Sequence, residues 1–228
     1  MSEVRKRNVL RAAWAGIAGF SVVFAPTAGA EEPEHGATCP PGMARVRDFC
    51  MDRYEAPNRR GAKPLVMQSA QDAAAWCSAR HKRLCTETEW IDACEGEEHR
   101  PYPYGREHAT GRCNDDKMWR KVDEVLLTQW PSPEAKAHVE ELYQAAPSGA
   151  KSGCVSQAGI ADLTGNVEEW VVRTREHAHD WPYILIGCYW SGCYGGGKPT
   201  CHSTNPAHGP SFRFYETGFR CCSDVSAP

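Results

Sequence analysis

The chain has 228 residues, enough for one large domain or two small ones, and a formal net charge of −3. So balanced a charge excludes a nucleic-acid surface or a polybasic membrane surface as the basis of function. Twenty glycines, sixteen prolines and eight tryptophans argue for a loop-rich domain pinned by aromatics rather than a helical bundle.

The first thirty residues read as a signal peptide. Arg5, Lys6, Arg7 and Arg11 form a basic start, residues 12–25 are mostly apolar, and Ala28-Gly29-Ala30 offers a cleavage site. The alternative is an uncleaved anchor, but the apolar run is short for a bilayer. Lys6-Arg7 resembles a twin-arginine signal with lysine in the first place, and Gly36-Ala37-Thr38-Cys39 lacks the leucine of a lipobox. The expected product is secreted or periplasmic, with no membrane anchor after cleavage. Residues 31–38, acidic and proline-containing, read as a disordered mature N-terminus, and residues 39–224 as one domain.

Within that domain, residues 43–54 alternate loosely, as one strand would. Residues 69–80 predict a helix capped by Ser69, with Ala73, Trp76, Cys77 and Arg80 on one face. Thr86-Glu87-Thr88-Glu89 is a capping box that opens a second helix. Tyr102-Pro103-Tyr104-Gly105 predicts a tight turn. Residues 115–150 read as an insertion holding one short helix from Pro133 to about Tyr143, with proline at its first position. Beyond Cys154 the pattern is short strands and glycine turns.

All twelve cysteines lie beyond the signal, which fits an oxidising compartment. No C-x2-C pair occurs, so zinc is not indicated. Cys221 and Cys222 would face opposite ways in a strand and need different partners.

Asp162 to Trp170 reads D-L-T-G-N-V-E-E-W. Two carboxylates and carbonyls freed by a glycine turn can converge on a hard cation, and calcium takes six to eight such oxygens. The alternative is an ordinary turn. His177 with His179, and His202 with His208, are weaker metal candidates on loops read as exposed. Arg213, beside Phe212, Phe214 and Tyr215, could line a pocket for an acidic or aromatic ligand or sit on a packed strand edge.

Five motifs in order resemble the formylglycine-generating enzyme, or sulfatase-modifying factor, family. They are Asp52-Arg53-Tyr54-Glu55-Ala56-Pro57-Asn58, residues 82–90 (K-R-L-C-T-E-T-E-W), Tyr102-Pro103-Tyr104-Gly105, Gly165-Asn166-Val167-Glu168-Glu169-Trp170 and Thr217-Gly218-Phe219-Arg220-Cys221. Cys85 stands where the family has proline, and Glu168 where it has tryptophan. The resemblance implies an α+β fold: a loop-rich, disulfide-stapled, formylglycine-generating-enzyme-type variant of the C-type lectin fold. It implies a structural calcium held by the side chains of Asp162 and Glu169 and the carbonyls of Gly165 and Val167, and a second calcium site starting near Asn114. It also implies bridges Cys77–Cys221 and Cys94–Cys201.

The family's oxidases hold copper(I) on two thiolates of G-G-S-x-x-C-x4-C-x4-C and convert a cysteine in a C-x-P-x-R peptide to formylglycine. Counted forward from Gly187, the copper positions fall on Gly192 and Gly197; counted back from Cys201, on Ser191 and Gly196. The motif serine is replaced by Tyr189. Cys188 and Cys193 keep the C-x4-C separation but are displaced, so they are either displaced copper ligands or disulfide partners. Three functions follow as expectations. The first is a copper- and dioxygen-dependent oxidase of a peptidyl cysteine, acting on a protein or peptide substrate. The second is a catalytically silent lectin-like module for a peptide, glycan or envelope ligand. The third is an oxidative role of the kind found in siderophore maturation.

Overall fold

The computed structural model describes residues 38–225. The signal peptide, and the N-terminal tail save Thr38, lie outside the described residues.

Two four-stranded sheets form the frame. The first has the order β1-β2-β8-β3, from Met43–Val46, Phe49–Asp52, Cys221–Asp224 and Arg83–Leu84, all antiparallel. The second has the order β6-β5-β4-β7, from Thr204–Asn205, Tyr183–Ile186, Glu168–Val172 and Thr217–Gly218. Its β4–β7 pair is parallel and sets Glu168 against Thr217. The single strand expected over residues 43–54 is instead a hairpin. Val46 pairs with Phe49, and Arg47 takes φ 50°, a left-handed conformation that turns the chain.

Two helices carry the reciprocal caps that local chemistry favours. In α1 (Ala70–Ser78) the Ser69 hydroxyl accepts from the Asp72 amide, and the Asp72 carboxylate accepts from the Ser69 amide. In α2 (Glu87–Glu95) Thr86 and Glu89 do the same. The insertion contributes α4 (Pro133–Leu142), capped by Ser132 and buried through Ala135, Val139 and Leu142. It also holds a one-turn α3 (Glu124–Leu127) that the sequence pattern did not single out.

Trp90, Trp170 and Trp190 are fully buried and centre three apolar clusters. The Trp170 indole donates to the Gln68 carbonyl at 2.9 Å, so its one polar atom is satisfied. Six disulfides pair all twelve cysteines: Cys39–Cys50, Cys77–Cys221, Cys85–Cys222, Cys94–Cys201, Cys113–Cys154 and Cys188–Cys193. Cys221 and Cys222 leave β8 on opposite faces, one toward α1 and the other toward the residue after β3. No helix among the described residues is long and apolar enough to cross a membrane.

Candidate functional site

The Asp162–Trp170 loop is wound by two successive left-handed residues, Gly165 (φ 72°) and Asn166 (φ 60°). A side chain at Gly165 would put its Cβ 2.5 Å from the Asn114 carbonyl oxygen, so only glycine fits there. Asn166 then works as a hub. Its Oδ1 accepts from Asn114 Nδ2 at 2.9 Å and from the Ala146 amide at 2.8 Å, and its Nδ2 donates to Glu55 Oε1 at 2.6 Å. The loop is thereby tied to the end of the insertion and to the opening motif.

β4 leaves this loop, and its period-two alternation sends Glu168 and Glu169 to opposite faces. Glu169 faces Arg220, and both are buried to 1% exposure or less. The guanidinium donates to Glu169 Oε1 at 2.7 Å through Nη2 and to Oε2 at 2.8 Å through Nε, and Trp90 Nε1 adds 2.9 Å to Oε2. Further Arg220 donors reach the Ala161 and Asp52 carbonyls. Glu55 and Asp162 complete the cluster. Burial, reinforced by the charge of Asp162, pushes Glu55 up to about 8. Burial raises Asp162 to about 6, although its Oδ2 accepts from the Gly149 amide at 2.6 Å. Three carboxyls therefore share one cation, and proton uptake relieves the excess negative charge.

This arrangement does not suit the calcium shell implied by the resemblance. Both Glu169 oxygens are turned onto Arg220 and Trp90, so a divalent ion on them would stand beside a guanidinium. The second expected position is different. Among the described residues Asn114 Oδ1 and Asp115 Oδ1 are buried oxygens without a hydrogen-bond partner, while Asp115 Oδ2 meets His108 Nε2 at 2.9 Å. Oxygens of this kind are what calcium selects.

The other face of β4 looks into a cleft of about 290 Å³, lined by Glu168, Cys188, Cys193, Tyr194, Lys198 and Asn205 among others. Cys188 and Cys193 are bridged, with Cα atoms 4.9 Å apart. Of the two readings the sequence left open, displaced copper ligands or disulfide partners, the bridge is the one present in this form, and a disulfide offers copper(I) no thiolate. Burial pushes the Glu168 carboxyl up to about 8, the only relief being a 3.4 Å hydrogen bond from Asn205. Glu216 lies beside it because the Glu168 amide donates to the Glu216 carbonyl. Its Oε1 accepts from the Tyr194 hydroxyl at 2.6 Å, its Oε2 has no partner, and burial holds its carboxyl well above the usual range.

The raised Glu168 gives a signed pH prediction. The folded chain holds a proton that the unfolded chain releases near 4.5, so this contribution is complete below that value and is lost as pH rises through about 8. Glu168→Gln is expected to remove a slope of up to ~1.4 kcal/mol per pH unit across that window. Urea midpoints of both proteins at pH 5 and pH 8.5 check it; parallel midpoints at the two pH values would contradict it.

The remaining sequence candidates do not converge. His177 is largely buried rather than exposed and pairs with Glu87 at 2.8 Å, His202 pairs with Glu95 at 2.9 Å, and His208 stacks on Phe212 at 3.6 Å. Among the described residues no three His, Cys, Asp or Glu side chains form a metal-binding group. Arg213 lines a separate cavity of about 560 Å³ and pairs with Asp72 at 3.0 Å. Sequence reasoning assigned no role to Glu55, Glu216 or Arg220. A usable signal was present, since Arg220 stands in the otherwise apolar run G-F-R-C-C, and a cation there needs a buried acid.

Comparisons with known proteins bear on the family and the fold. Residues 24–225 match the sulfatase-modifying factor enzyme 1-like domain. The chain is 29% identical over 168 residues to the inactive C-alpha-formylglycine-generating enzyme 2 of Mus musculus, covering 72% of this chain and 50% of that protein. The Bos taurus counterpart gives the same identity and 52% of its length, so the chain spans about half the length of the curated relatives it matches. Among solved structures, PvdO from Pseudomonas aeruginosa superposes with a TM-score of 0.51 at 18% identity, over 78% of this chain and 80% of that one. CarF gives 0.53 at 16%, over 78% and 87%. These likenesses support the formylglycine-generating-enzyme-type variant of the C-type lectin fold. With the domain match spanning most of its length, and four of the five ordered motifs supplying residues to the Glu169–Arg220 centre, the chain belongs to the sulfatase-modifying factor family.

Proposed function

We propose that this protein is an exported sulfatase-modifying-factor-type binding module that does not carry out copper-dependent formylglycine formation. One observation carries the reading: the only C-x4-C pair in the cleft is a disulfide, and none of the cysteines is free. Copper(I) requires thiolate or another soft donor, and the cleft presents carboxyl, amide and phenol groups instead. The curated relatives carry the word inactive in their names, which supports the same direction. Six disulfides support an oxidising compartment, secreted or periplasmic. The ligand in this reading is a peptide or another envelope component held in the cleft beside Glu168.

A second reading has one observation in its favour. Both bridged cysteines line the cleft, so reduction would expose two thiols where a peptide could reach them. Conversion of the cysteine of a C-x-P-x-R peptide to formylglycine, with copper(I) and dioxygen supplied, before and after mild reduction of the protein, separates the two. The binding-module reading predicts none in either state; turnover after reduction supports the oxidase.

Calcium belongs to the proposal at Asn114 and Asp115 rather than at Glu169. The unpartnered Asn114 Oδ1 and Asp115 Oδ1 support that placement. Asp115→Asn is expected to abolish any calcium-dependent rise in melting temperature, whereas Asp162→Ala is expected to leave the rise in place. The opposite pattern in calorimetry with and without chelator would return calcium to the Asp162–Glu169 loop.

A further inference from the structure

We propose that the cleft beside the Cys188–Cys193 bridge receives a cationic nitrogen, an ammonium or guanidinium group, on the Glu168 carboxyl. The inference rests on the reading of this cleft as a ligand site and adds the chemistry of what it takes.

Two buried carboxyls lack counter-ions. Glu168 is 3% exposed and Glu216 1% exposed, yet among the described residues neither forms an ion pair. This contrasts with the other face of the same strand, where Glu169 has a buried guanidinium of its own. Glu168 forms part of the cleft wall, so a ligand can reach it, whereas Glu216 is reached only behind Tyr194. Glu168 receives only the 3.4 Å hydrogen bond from Asn205, so a ligand N–H group would supply it with the donor that the fold leaves out.

The remaining walls suit a cation better than an anion or an apolar group. The Tyr194 ring is 53% exposed at the rim, and its centroid lies 5.4 Å from that of Tyr189. Aromatic faces at a rim attract ammonium and guanidinium groups. Asn205 adds an amide beside Glu168. Lys198, also on the wall, is exposed and reaches neither carboxyl within ion-pair distance, so the internal cation does not fill the position. A volume of about 290 Å³ admits one long side chain or a small amine and excludes a folded partner.

The test uses the intact, fully bridged protein and four probes. Calorimetry would measure binding of n-butylammonium, Ac-Gly-Lys-Gly-NH2, Ac-Gly-Arg-Gly-NH2 and the neutral Ac-Gly-norleucine-Gly-NH2. The expected result is binding of at least one charged probe, with the neutral peptide at least tenfold weaker, and a tenfold or greater loss in Glu168→Gln. Binding of butylammonium alone identifies a free amine as the source, and binding of the peptides a protein side chain. Tyr194→Leu, at the exposed rim, is a second variant expected to weaken binding several-fold. Equal binding of charged and neutral peptides, no binding of any probe, or unchanged affinity in both variants overturns the proposal. Copper(I) uptake is a separate readout: a protein that takes up copper yet binds the probes through Glu168 would sink the binding-module reading and leave this one standing.

Discussion

Replacing Arg220 by methionine is expected to destabilise the protein by about 3–5 kcal/mol, the usual cost of leaving a buried charge without its partner. Among the described residues Arg220 is the one guanidinium in contact with Glu169, and its charge also holds down the carboxyls of Glu55 and Asp162. Without it, three buried carboxyls face one another. Protonation offers a partial escape, so the penalty should be smaller at pH 5 than at pH 8. At pH 5 Glu55 and Asp162, raised to about 8 and about 6, are already largely neutral. The double variant Arg220→Met with Glu169→Leu should recover much of the loss, because an apolar pair in place of a buried ion pair is often near neutral. Urea unfolding of the two single variants and the double variant gives the coupling energy directly. A single Arg220→Met variant with unchanged stability, or one equally damaged at both pH values, would contradict this account of the cluster.

The second large effect concerns β8. Cys77–Cys221 and Cys85–Cys222 close loops of 144 and 137 residues, and they share nearly the same loop. Once either is formed, the other closes only the short ring made by residues 77–85 and the 221–222 link. With Cys94–Cys201 intact inside the loop, the first bridge closes a ring of only about 38 residues, and the chain-entropy relation gives about 2.5 kcal/mol for losing one bridge and about 6.4 kcal/mol for losing both. Each bridge alone should therefore be dispensable, and removing both should abolish folding at moderate temperature. Denaturation of Cys77→Ala/Cys221→Ala, Cys85→Ala/Cys222→Ala and the fourfold variant tests this. If one pair alone costs as much as the fourfold change, the shared-loop argument fails.

Much of the fold was legible because the local signals were complete in a few residues. The Thr86–Glu89 box opens a helix where it predicts one. Tyr102 and Gly105 exchange both backbone hydrogen bonds across a tight turn. Adjacent Cys221 and Cys222 part to different partners, as strand geometry requires. The hairpin at Arg47 was not legible, because arginine is no turn former and its left-handed conformation is imposed by the pairing of β1 with β2.

The candidate site divides in the same way. The G-N turn and its two acids were visible as a motif, but the cation that occupies them is Arg220, 51 residues beyond Glu169. Glu168 was visible only as a departure from the family pattern. Its neighbour Glu216 is brought beside it by the parallel β4–β7 pairing, a non-local arrangement that no spacing rule in the sequence encodes.

The cleft holds a disulfide and a buried carboxyl where a copper centre would need thiolates. Native mass spectrometry of the purified protein, loaded with copper(I) under anaerobic conditions without prior reduction, tests it most directly. The account predicts an intact mass with six bridges, no alkylatable thiol and no bound copper. One tightly held copper(I) per chain, with Cys188 and Cys193 alkylatable in the metal-free protein, would contradict it.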